Sequence, residues 1–162
     1  MTDQYKKAYL YAIKLLTKRD YSQPKLRQKM VEKRFDTEVI DKVIEELEAK
    51  NFIREENYVE ARIKAFMHKR YSPHFIAQKL AQEDLNIDIE QIKAIFLDYQ
   101  ITTEQQVDEL IKKKFPLAMA QSDDPELFQK FKRRTLQYIV GKGHTLSLGV
   151  NRIAEYIKKA KS

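Results

Sequence analysis

The sequence has no cysteine, and among its 162 residues only three are glycine and four are proline. Without cysteine the chain forms no disulfide bond and carries out no thiol chemistry, which fits a reducing compartment. The scarcity of Gly and Pro leaves few positions that would interrupt a helix. Because 34% of the residues are also charged and no long Val- and Ile-rich run occurs, the composition predicts an all-α chain.

Long hydrophobic runs are missing as well. The stretch AYLYAIKLL near the N-terminus is interrupted by Lys14 and is too short to cross a bilayer, and no later stretch is longer. The N-terminus also lacks the pattern of a targeting segment. We therefore expect a cytoplasmic protein that does not bind membranes, and we expect it to be a monomer.

Motifs that would indicate catalysis or metal binding are absent from the sequence. Its histidines, His68, His74 and His144, do not stand at a zinc-type spacing from another ligand. Gly141-Lys142-Gly143 is not part of a phosphate-binding loop, and a helix C-terminus explains these glycines better. We expect no enzyme activity, no cofactor and no metal site.

An internal repeat is the main organising feature. YSQPKLRQKM at 21–30 is nearly copied as YSPHFIAQKL at 71–80, and a weaker third copy aligns 28–44 with 137–153. Self-similarity at this period is typical of stacked supersecondary units. The predicted repeats span 1–51, 52–101 and 102–162, and the third is longer, with a loop near 115–125.

Each repeat is predicted to contain three helices, nine in the whole chain. The first helix spans 3–18, and its apolar face is predicted to contain Leu10, Ile13 and Leu16. The second helix begins at a serine N-cap, Ser22 or Ser72, with a proline in the first turn. Tyr21 and Tyr71, which precede these serines, are interpreted as packing residues.

The third helix of the first repeat is predicted to begin after an N-cap at Asp36. Its inner stripe would comprise Ile40, Val43, Ile44 and Leu47. In the third repeat, a capping box at Thr103 and Gln106 is predicted to begin the first helix. The second helix there is expected to open at 124–125 and to run to about residue 140.

Charge is distributed unevenly along the chain, whose formal net charge is +7. In the first two repeats the first two helices are basic and the third is acidic, whereas the third repeat is basic almost throughout. An acidic helix would be repelled by phosphates, so the first two repeats should not read DNA as helix-turn-helix domains. Only the last helix, with Asn151, Arg152, Lys158 and Lys159, carries a charge suited to that role. A solvent-exposed polar face explains such charge runs equally well.

Three stretches resemble the RecX family, regulators of the RecA recombinase, in their order and spacing. They are AIKLLTKR from 12 to 19 followed by Tyr21, Ser22 and Leu26; FI-x-EE-x-Y-x-x-A from 52 to 61; and KRR-x-L-x-Y-x-x-GKG from 132 to 143. The resemblance covers nearly the whole chain. It implies three tandem three-helix repeats, helix-turn-helix-like, stacked into an elongated, curved molecule.

The resemblance also implies a function in homologous recombination, DNA repair and the SOS response. Members of this family are expected to bind along the groove of the RecA filament on single-stranded DNA. The implied consequence is that the ATPase, strand-exchange and co-protease activities of RecA are reduced. Repeated units suit this partner, since a stacked array can span several subunits of a filament.

Two sets of basic residues are candidates for binding. The basic helices of the first two repeats are predicted to contact the filament through Lys14, Lys18, Arg19, Arg27, Lys64, Lys69 and Arg70. The third repeat is predicted to contact phosphates, without sequence preference, through Lys112, Lys113, Lys114, Lys130, Lys132, Arg133 and Arg134. Lys130, Arg133 and Arg134 are expected to share one helical face.

Two other functions remain open at this point. The chain could act alone as a DNA-binding protein on single or double strands without sequence specificity, which predicts strong and salt-dependent binding to free DNA. It could also be a structural adaptor that binds neither DNA nor a filament. RecA ATPase activity on single-stranded DNA, measured with and without this protein, separates these functions.

Overall fold

A computed structural model describes residues 2–162 and contains ten helices. They are α1 (Asp3–Lys18), α2 (Gln23–Glu32), α3 (Thr37–Ala49), α4 (Glu55–His68), α5 (Pro73–Ala81), α6 (Ile89–Asp98), α7 (Thr103–Lys114), α8 (Leu117–Ala120), α9 (Pro125–Gly141) and α10 (Leu146–Ala160). The predicted all-α fold is confirmed, and no strand occurs within residues 2–162. The repeat boundaries at 51/52 and 101/102 stay a prediction.

The predicted number of nine helices was one too low. The additional helix, α8, lies in the segment near 115–125 that was expected to be a loop. Its single turn follows Pro116, and its last residue, Ala120, is buried in the core formed with the neighbouring helices. The Gln121 side-chain amide then donates to the Ala160 carbonyl at 2.8 Å. These tertiary contacts stabilise a turn too short to persist alone.

The chain divides into two compact units. Unit one comprises the residues up to Arg62 together with Glu83–Leu85, and unit two comprises Ile63–Gln82 and Asn86–Ser162. Glu83 belongs to unit one because its carboxylate accepts hydrogen bonds from the Tyr58 hydroxyl at 2.9 Å and from the Arg62 guanidinium. Burial and this carboxylate raise the pKa of Tyr58, so the phenol remains a donor.

The core of unit one lies among α1, α2 and α3. The predicted inner stripe of α3 is confirmed, since its four members are buried together with the inner face of α2. The buried side chains are Ala8, Ala12, Tyr21, Leu26, Met30, Ile40, Val43, Ile44 and Leu47. The packing interpretation of Tyr21 is therefore confirmed as well.

The predicted inner face of α1 was wrong at Leu10. This side chain is 67% exposed, whereas Ala8 and Ala12 are completely buried. Residues two apart on a helix point about 200° apart, so burial of Ala8 turns Leu10 outward. The two alanines occupy the positions of α1 that face the rest of the core. The other two predicted members, Ile13 and Leu16, do pack against this core.

The serines repeated in the sequence are N-caps, as predicted. Ser22 Oγ accepts from the Lys25 amide at 3.2 Å, and Ser72 Oγ accepts from the Phe75 amide at 3.2 Å. A proline follows in the first turn of both helices, where the missing N–H has no intrahelical partner to lose. Asp36 is the N-cap residue of α3, but its side chain makes no capping hydrogen bond.

Several helices end on a residue in the left-handed conformation. Besides Gly143, with φ 88°, these are Arg34, Asn51, Arg70, Asp84 and Gln100, with φ between 54° and 70°. Such a residue reverses the chain and satisfies the last helical carbonyls, a position that usually holds glycine. The chain therefore makes sharp turns with ordinary residues, which explains how so few glycines suffice.

Unit two has its main core among α7, α8, α9 and α10. Phe115 is completely buried there with Leu110, Ile139 and Ile153. The α7 capping box lies one residue earlier than predicted, on Thr102 and Gln105. The sequence TTEQQ fits the capping spacing in two registers, and the structure uses the first. The predicted opening of α9 after Asp124 is confirmed, because this carboxylate accepts two backbone N–H groups.

Candidate functional site

The basic residues predicted for the first repeat differ in how far their charge is available. Lys14 and Lys18 are exposed on α1. The Arg19 guanidinium lies 4.6 Å from the centre of the Tyr21 ring. Arg27 pairs with the carboxylate of Asp41 on α3, so part of its charge is already neutralised. Lys14, Lys18 and Arg19 are thus the members best placed to meet an acidic partner.

The basic residues predicted for the second repeat also differ in how far their charge is available. Lys69 is exposed, whereas Lys64 Nζ lies 4.9 Å from the centre of the Tyr99 ring. Arg70 is the left-handed residue after α4, and its Nε donates to the Glu109 carboxylate at 2.6 Å. The Arg70 charge therefore holds the end of α4 against α7 and is less available to a partner.

The outer face of α9 carries a group of cations. Lys130, Arg133 and Arg134 are all exposed, and the predicted shared face follows from their i, i+3 and i+4 spacing. Lys132 is only half-exposed because it lies about 200° around the helix from Lys130. Three of the four predicted cations of α9 therefore present one continuous basic surface.

The three lysines that end α7 do not join that surface as a group. Lys112 lines a cleft of about 130 Å³ that also contains Arg152 and Lys159 of α10. Lys114 instead points toward α9, with Nζ 4.3 Å from the centre of the Tyr138 ring. Consecutive helical residues differ by about 100°, so these lysines spread around the helix end.

The Arg152 side chain is committed to structure. Its Nε and Nη2 donate to both oxygens of Asp108 at 2.8 and 2.7 Å, which joins α10 to α7. These hydrogen bonds raise the pKa of Arg152 further above its ordinary value. Because Asp108 occupies the Nε–Nη2 edge of the guanidinium, Arg152 is poorly placed to form a bidentate contact with a base.

A row of lysines and aromatic rings in mutual contact, which the sequence analysis missed, lies on unit two. Tyr71 stacks on Phe75 with ring centres 4.9 Å apart, and Lys79 Nζ is 5.2 Å from the Phe75 centre. Lys142 Nζ lies 4.2 Å from the Tyr71 centre and 5.5 Å from the Tyr138 centre. Each such contact stabilises by about 0.5–1 kcal/mol at exposed sites. The available sequence signal was the repeated tyrosine at position 71.

Beside this row, the turn before α5 is joined to the turn before α10. Ser72 donates its backbone N–H to the Lys142 carbonyl at 3.0 Å and its hydroxyl to the Gly143 carbonyl at 2.7 Å. His144 Nε2 lies 2.9 Å from the Arg70 carbonyl. We call this set, Arg70, Ser72, Gly143 and His144, the corner clasp. Ser72 thus does more than cap a helix, since the same hydroxyl connects two parts of unit two.

The surroundings of His144 in the corner clasp favour its uncharged form. A carbonyl oxygen can only accept a hydrogen bond, so Nε2 carries the ring proton and Nδ1 is unprotonated. Nδ1 is buried without a hydrogen-bond partner in the described part of the chain. Burial lowers the pKa of His144, and the hydrogen bond to Arg70 opposes this only in part. A second proton would therefore place an uncompensated charge inside unit two.

The structure adds two negative observations over residues 2–162. No group of three or more His, Cys, Asp or Glu side chains is arranged to hold a metal ion. None of the described helices combines the length and apolar character that crossing a membrane requires. The residues that the structure does place at the candidate surfaces are cations and aromatic rings, a chemistry suited to binding an acidic macromolecule.

Comparison with known proteins identifies one family throughout. A family model described as RecX, first three-helix domain, matches residues 8–47. Regulatory protein RecX of Haemophilus influenzae strain PittEE is 31% identical over 137 residues, which cover 84% of this chain and 86% of that protein. Regulatory protein RecX of Mannheimia succiniciproducens is 28% identical over 136 residues, covering 84% and 85%.

Solved structures show the same fold. The crystal structure of RecX from Lactobacillus salivarius superposes with a TM-score of 0.68 at 20% identity, covering 96% of this chain and 97% of that one. A second crystal structure, of regulatory protein RecX, gives a TM-score of 0.68 at 19% identity, covering 97% and 72%. At these identities the likeness concerns the arrangement of helices alone.

Proposed function

The chain belongs to the RecX family, and from this we propose that it regulates the RecA recombinase by binding along the groove of the RecA filament on single-stranded DNA. Bound there, it lowers the ATPase, strand-exchange and co-protease activities of RecA. The observation that carries the proposal is 31% identity to a Regulatory protein RecX over 84% of the chain. No chemical step by this chain is required.

The distribution of charge supports a protein partner of this kind. Exposed cations lie on α1 and at the end of α4, whereas α3 and α6 are acidic, so each of the first two predicted repeats would present a basic side. Such charges accelerate association and set orientation more than they add affinity. Three tandem repeats with boundaries near 51/52 and 101/102 would offer this side to successive subunits of a filament.

The direct test is RecA ATPase activity on single-stranded DNA, measured with increasing amounts of this protein. We expect the rate to fall in a concentration-dependent way and strand exchange to fall with it. An unchanged ATPase rate, together with unchanged strand exchange, would refute the proposed function.

The contact surface is tested by reversing charge at Lys14, Lys18 and Arg19. These side chains are exposed or half-exposed at the surface, so replacement by Glu should leave the helical circular-dichroism spectrum unchanged. We expect the variant to inhibit RecA several-fold less at low salt.

The matched control reverses three exposed lysines on other helices, Lys42, Lys93 and Lys158, and has the same change in net charge. It should inhibit RecA as the unmodified protein does. Equal losses in both variants would show that total charge matters and that the α1 surface does not.

A second function, binding to free DNA without sequence preference, is favoured by the outer face of α9. Lys130, Arg133 and Arg134 can reach phosphates together, and no base-reading side chains accompany them. If these three cations neutralise about three phosphates, the logarithm of affinity for single strands should fall with the logarithm of salt at a slope near −2.

Replacing Lys130, Arg133 and Arg134 by Ala should flatten that slope toward zero. Replacing two exposed lysines on other helices, Lys42 and Lys93, by Ala should leave the slope unchanged. Binding to single strands that is independent of salt, or that survives the triple replacement, would show that the α9 surface only faces solvent.

A further inference from the structure

Unit one contains a groove that the proposed function does not use. It lies between α1 and α3, has a volume of about 360 Å³, and is lined by Tyr5, Lys6, Tyr9, Leu10, Glu46 and Lys50. We call it the tyrosine groove. Its volume is at the lower end of the range of about 300–1,000 Å³ found for ligand pockets. Leu10 borders the groove as a large, exposed aliphatic side chain.

Lysines surround the apolar part of this groove. Lys6 and Lys7 are exposed one turn before Leu10, and Lys14 is exposed one turn after it. Lys50 closes the other side, where its Nζ donates to Glu46 at 2.9 Å and lies 3.4 Å from the Tyr9 hydroxyl. These contacts raise the pKa of Lys50, so this lysine stays charged. The groove therefore combines an apolar centre with a cationic rim.

The second repeat shows that the fold does not require this combination. A shift of 50 residues places Lys6, Lys7 and Leu10 on positions 56, 57 and 60 of α4. These positions hold Glu56, Asn57 and Glu60, so the same helical face is acidic in one repeat and basic with an apolar centre in the other.

The tyrosine rings are poorly arranged for binding nucleic-acid bases. Tyr5 and Tyr9 stack on each other with ring centres 6.2 Å apart and an interplanar angle of 23°. Lys50 Nζ lies 5.4 Å from the centre of Tyr9 as well. Stacking of single strands needs open ring faces, and the exposed group here is the aliphatic side chain of Leu10. An apolar side chain of a protein suits that group better.

We propose that the tyrosine groove binds an acidic peptide segment of a partner protein, which places an apolar side chain against Leu10, Tyr5 and Tyr9. Carboxylates on either side of that apolar residue pair with Lys6, Lys7 and Lys14. The commitment to an acidic partner follows from charge complementarity. No acidic residue lies on α1 between Lys6 and Lys18, and Glu46, which lines the α3 side of the groove, is already paired with Lys50. The inference goes beyond the proposed function, since it holds whether or not the partner is RecA.

The test measures fluorescence anisotropy with a labelled synthetic peptide of alternating Glu and Ser that has two leucines at its centre. We expect binding that weakens with salt, and about tenfold weaker binding when the leucines are replaced by Ser. The variant Leu10→Ser should likewise bind the original peptide about tenfold less tightly. Leu97→Ser is the matched control, because Leu97 is 77% exposed on α6 and belongs to unit two. It should bind as the unmodified protein does.

A second variant gives α1 the residues that α4 has at the equivalent positions, through Lys6→Glu, Lys7→Asn and Leu10→Glu. These residues already occupy the same positions of α4, so the variant should fold, and we expect it to lose peptide binding.

The proposal is overturned if the unmodified protein does not bind the peptide. It is also overturned if the leucines make no difference, or if Leu97→Ser is as harmful as Leu10→Ser. If an oligothymidylate strand binds more tightly than the peptide, and Leu10→Ser does not weaken peptide binding, the groove is a nucleic-acid surface instead. None of these results depends on RecA, so they are separate from a failure of the proposed function.

Discussion

Replacing Gly143 by Ala should strongly destabilise unit two. The backbone of Gly143 has φ 88°, where an L side chain costs about 1–2 kcal/mol. A Cβ atom there would lie 2.3 Å from Phe75 Cβ and 2.6 Å from Ser72 Oγ. Phe75 Cβ is attached to the α5 backbone and cannot swing away, so the turn must shift, at a cost of about 1–3 kcal/mol. Losing the Ser72 hydrogen bond to Gly143 adds about 1 kcal/mol.

Together these effects amount to about 3–6 kcal/mol, a large share of the 5–15 kcal/mol that is typical for a domain. Urea unfolding followed by circular dichroism measures the loss directly. With a slope near 2 kcal/mol per molar urea, the midpoint should fall by about 2 M. If the two compact units unfold in separate transitions, only the transition of unit two should move.

Gly141→Ala is the matched control, two residues away. A Cβ at Gly141 meets no atom within 4 Å, and the residue ends α9. Alanine should therefore be neutral or stabilise the helix by up to about 1 kcal/mol. The reasoning about the corner clasp is refuted if Gly143→Ala unfolds within about 1 kcal/mol of the unmodified protein, or if both variants lose stability equally.

Three further predictions concern unit two. The pKa of His144 is lower in the folded state than its unfolded value near 6.5, so its contribution to the free energy of unfolding is complete above pH 6.5 and is lost as pH falls toward the folded pKa. His144→Gln should remove this pH dependence, which urea unfolding between neutral and mildly acidic pH measures. A variant whose stability changes with pH as in the unmodified protein would contradict the prediction. Gln100→Gly should raise stability by about 0.5–1 kcal/mol in the same unfolding assay because Gln100 has φ 54°, and a loss of stability would show that the left-handed turn is not strained. Arg152→Lys should lower the midpoint of thermal unfolding, since lysine cannot reproduce the planar bidentate pairing with both oxygens of Asp108, and thermal unfolding identical to that of the unmodified protein would rule this out.

Local features of the fold could be predicted from the sequence because they depend on residues only a few positions apart. Ser22 and Ser72 accept from the amide three residues on, and the stripe of α3 repeats with helical spacing. The family resemblance was readable for the same reason, since it rests on short stretches in a fixed order. Where local patterns fit in two registers, as at Thr102 and Thr103, the prediction was off by one residue.

The position of α1 in its core was decided by tertiary packing. Leu10 is the more hydrophobic residue, yet Ala8 and Ala12 are buried, because small side chains occupy the positions where α1 faces the rest of unit one. Helical periodicity alone does not say which of two partly apolar faces is turned inward. That choice also created the tyrosine groove, which no pattern in the sequence indicated.

The sequence by itself determined nine of the ten described helices, the serine caps at Ser22 and Ser72, and the family. Only the tertiary structure decided which charges are free and which are paired: Arg152 is bound to Asp108, 44 positions away, while Lys14 remains exposed. It also brought Ser72 to Gly143, 71 positions away, although the sequence marked Ser72 only as a cap. The physical reason is range, since helix formation depends on neighbours within one turn, whereas these pairings depend on how whole helices pack.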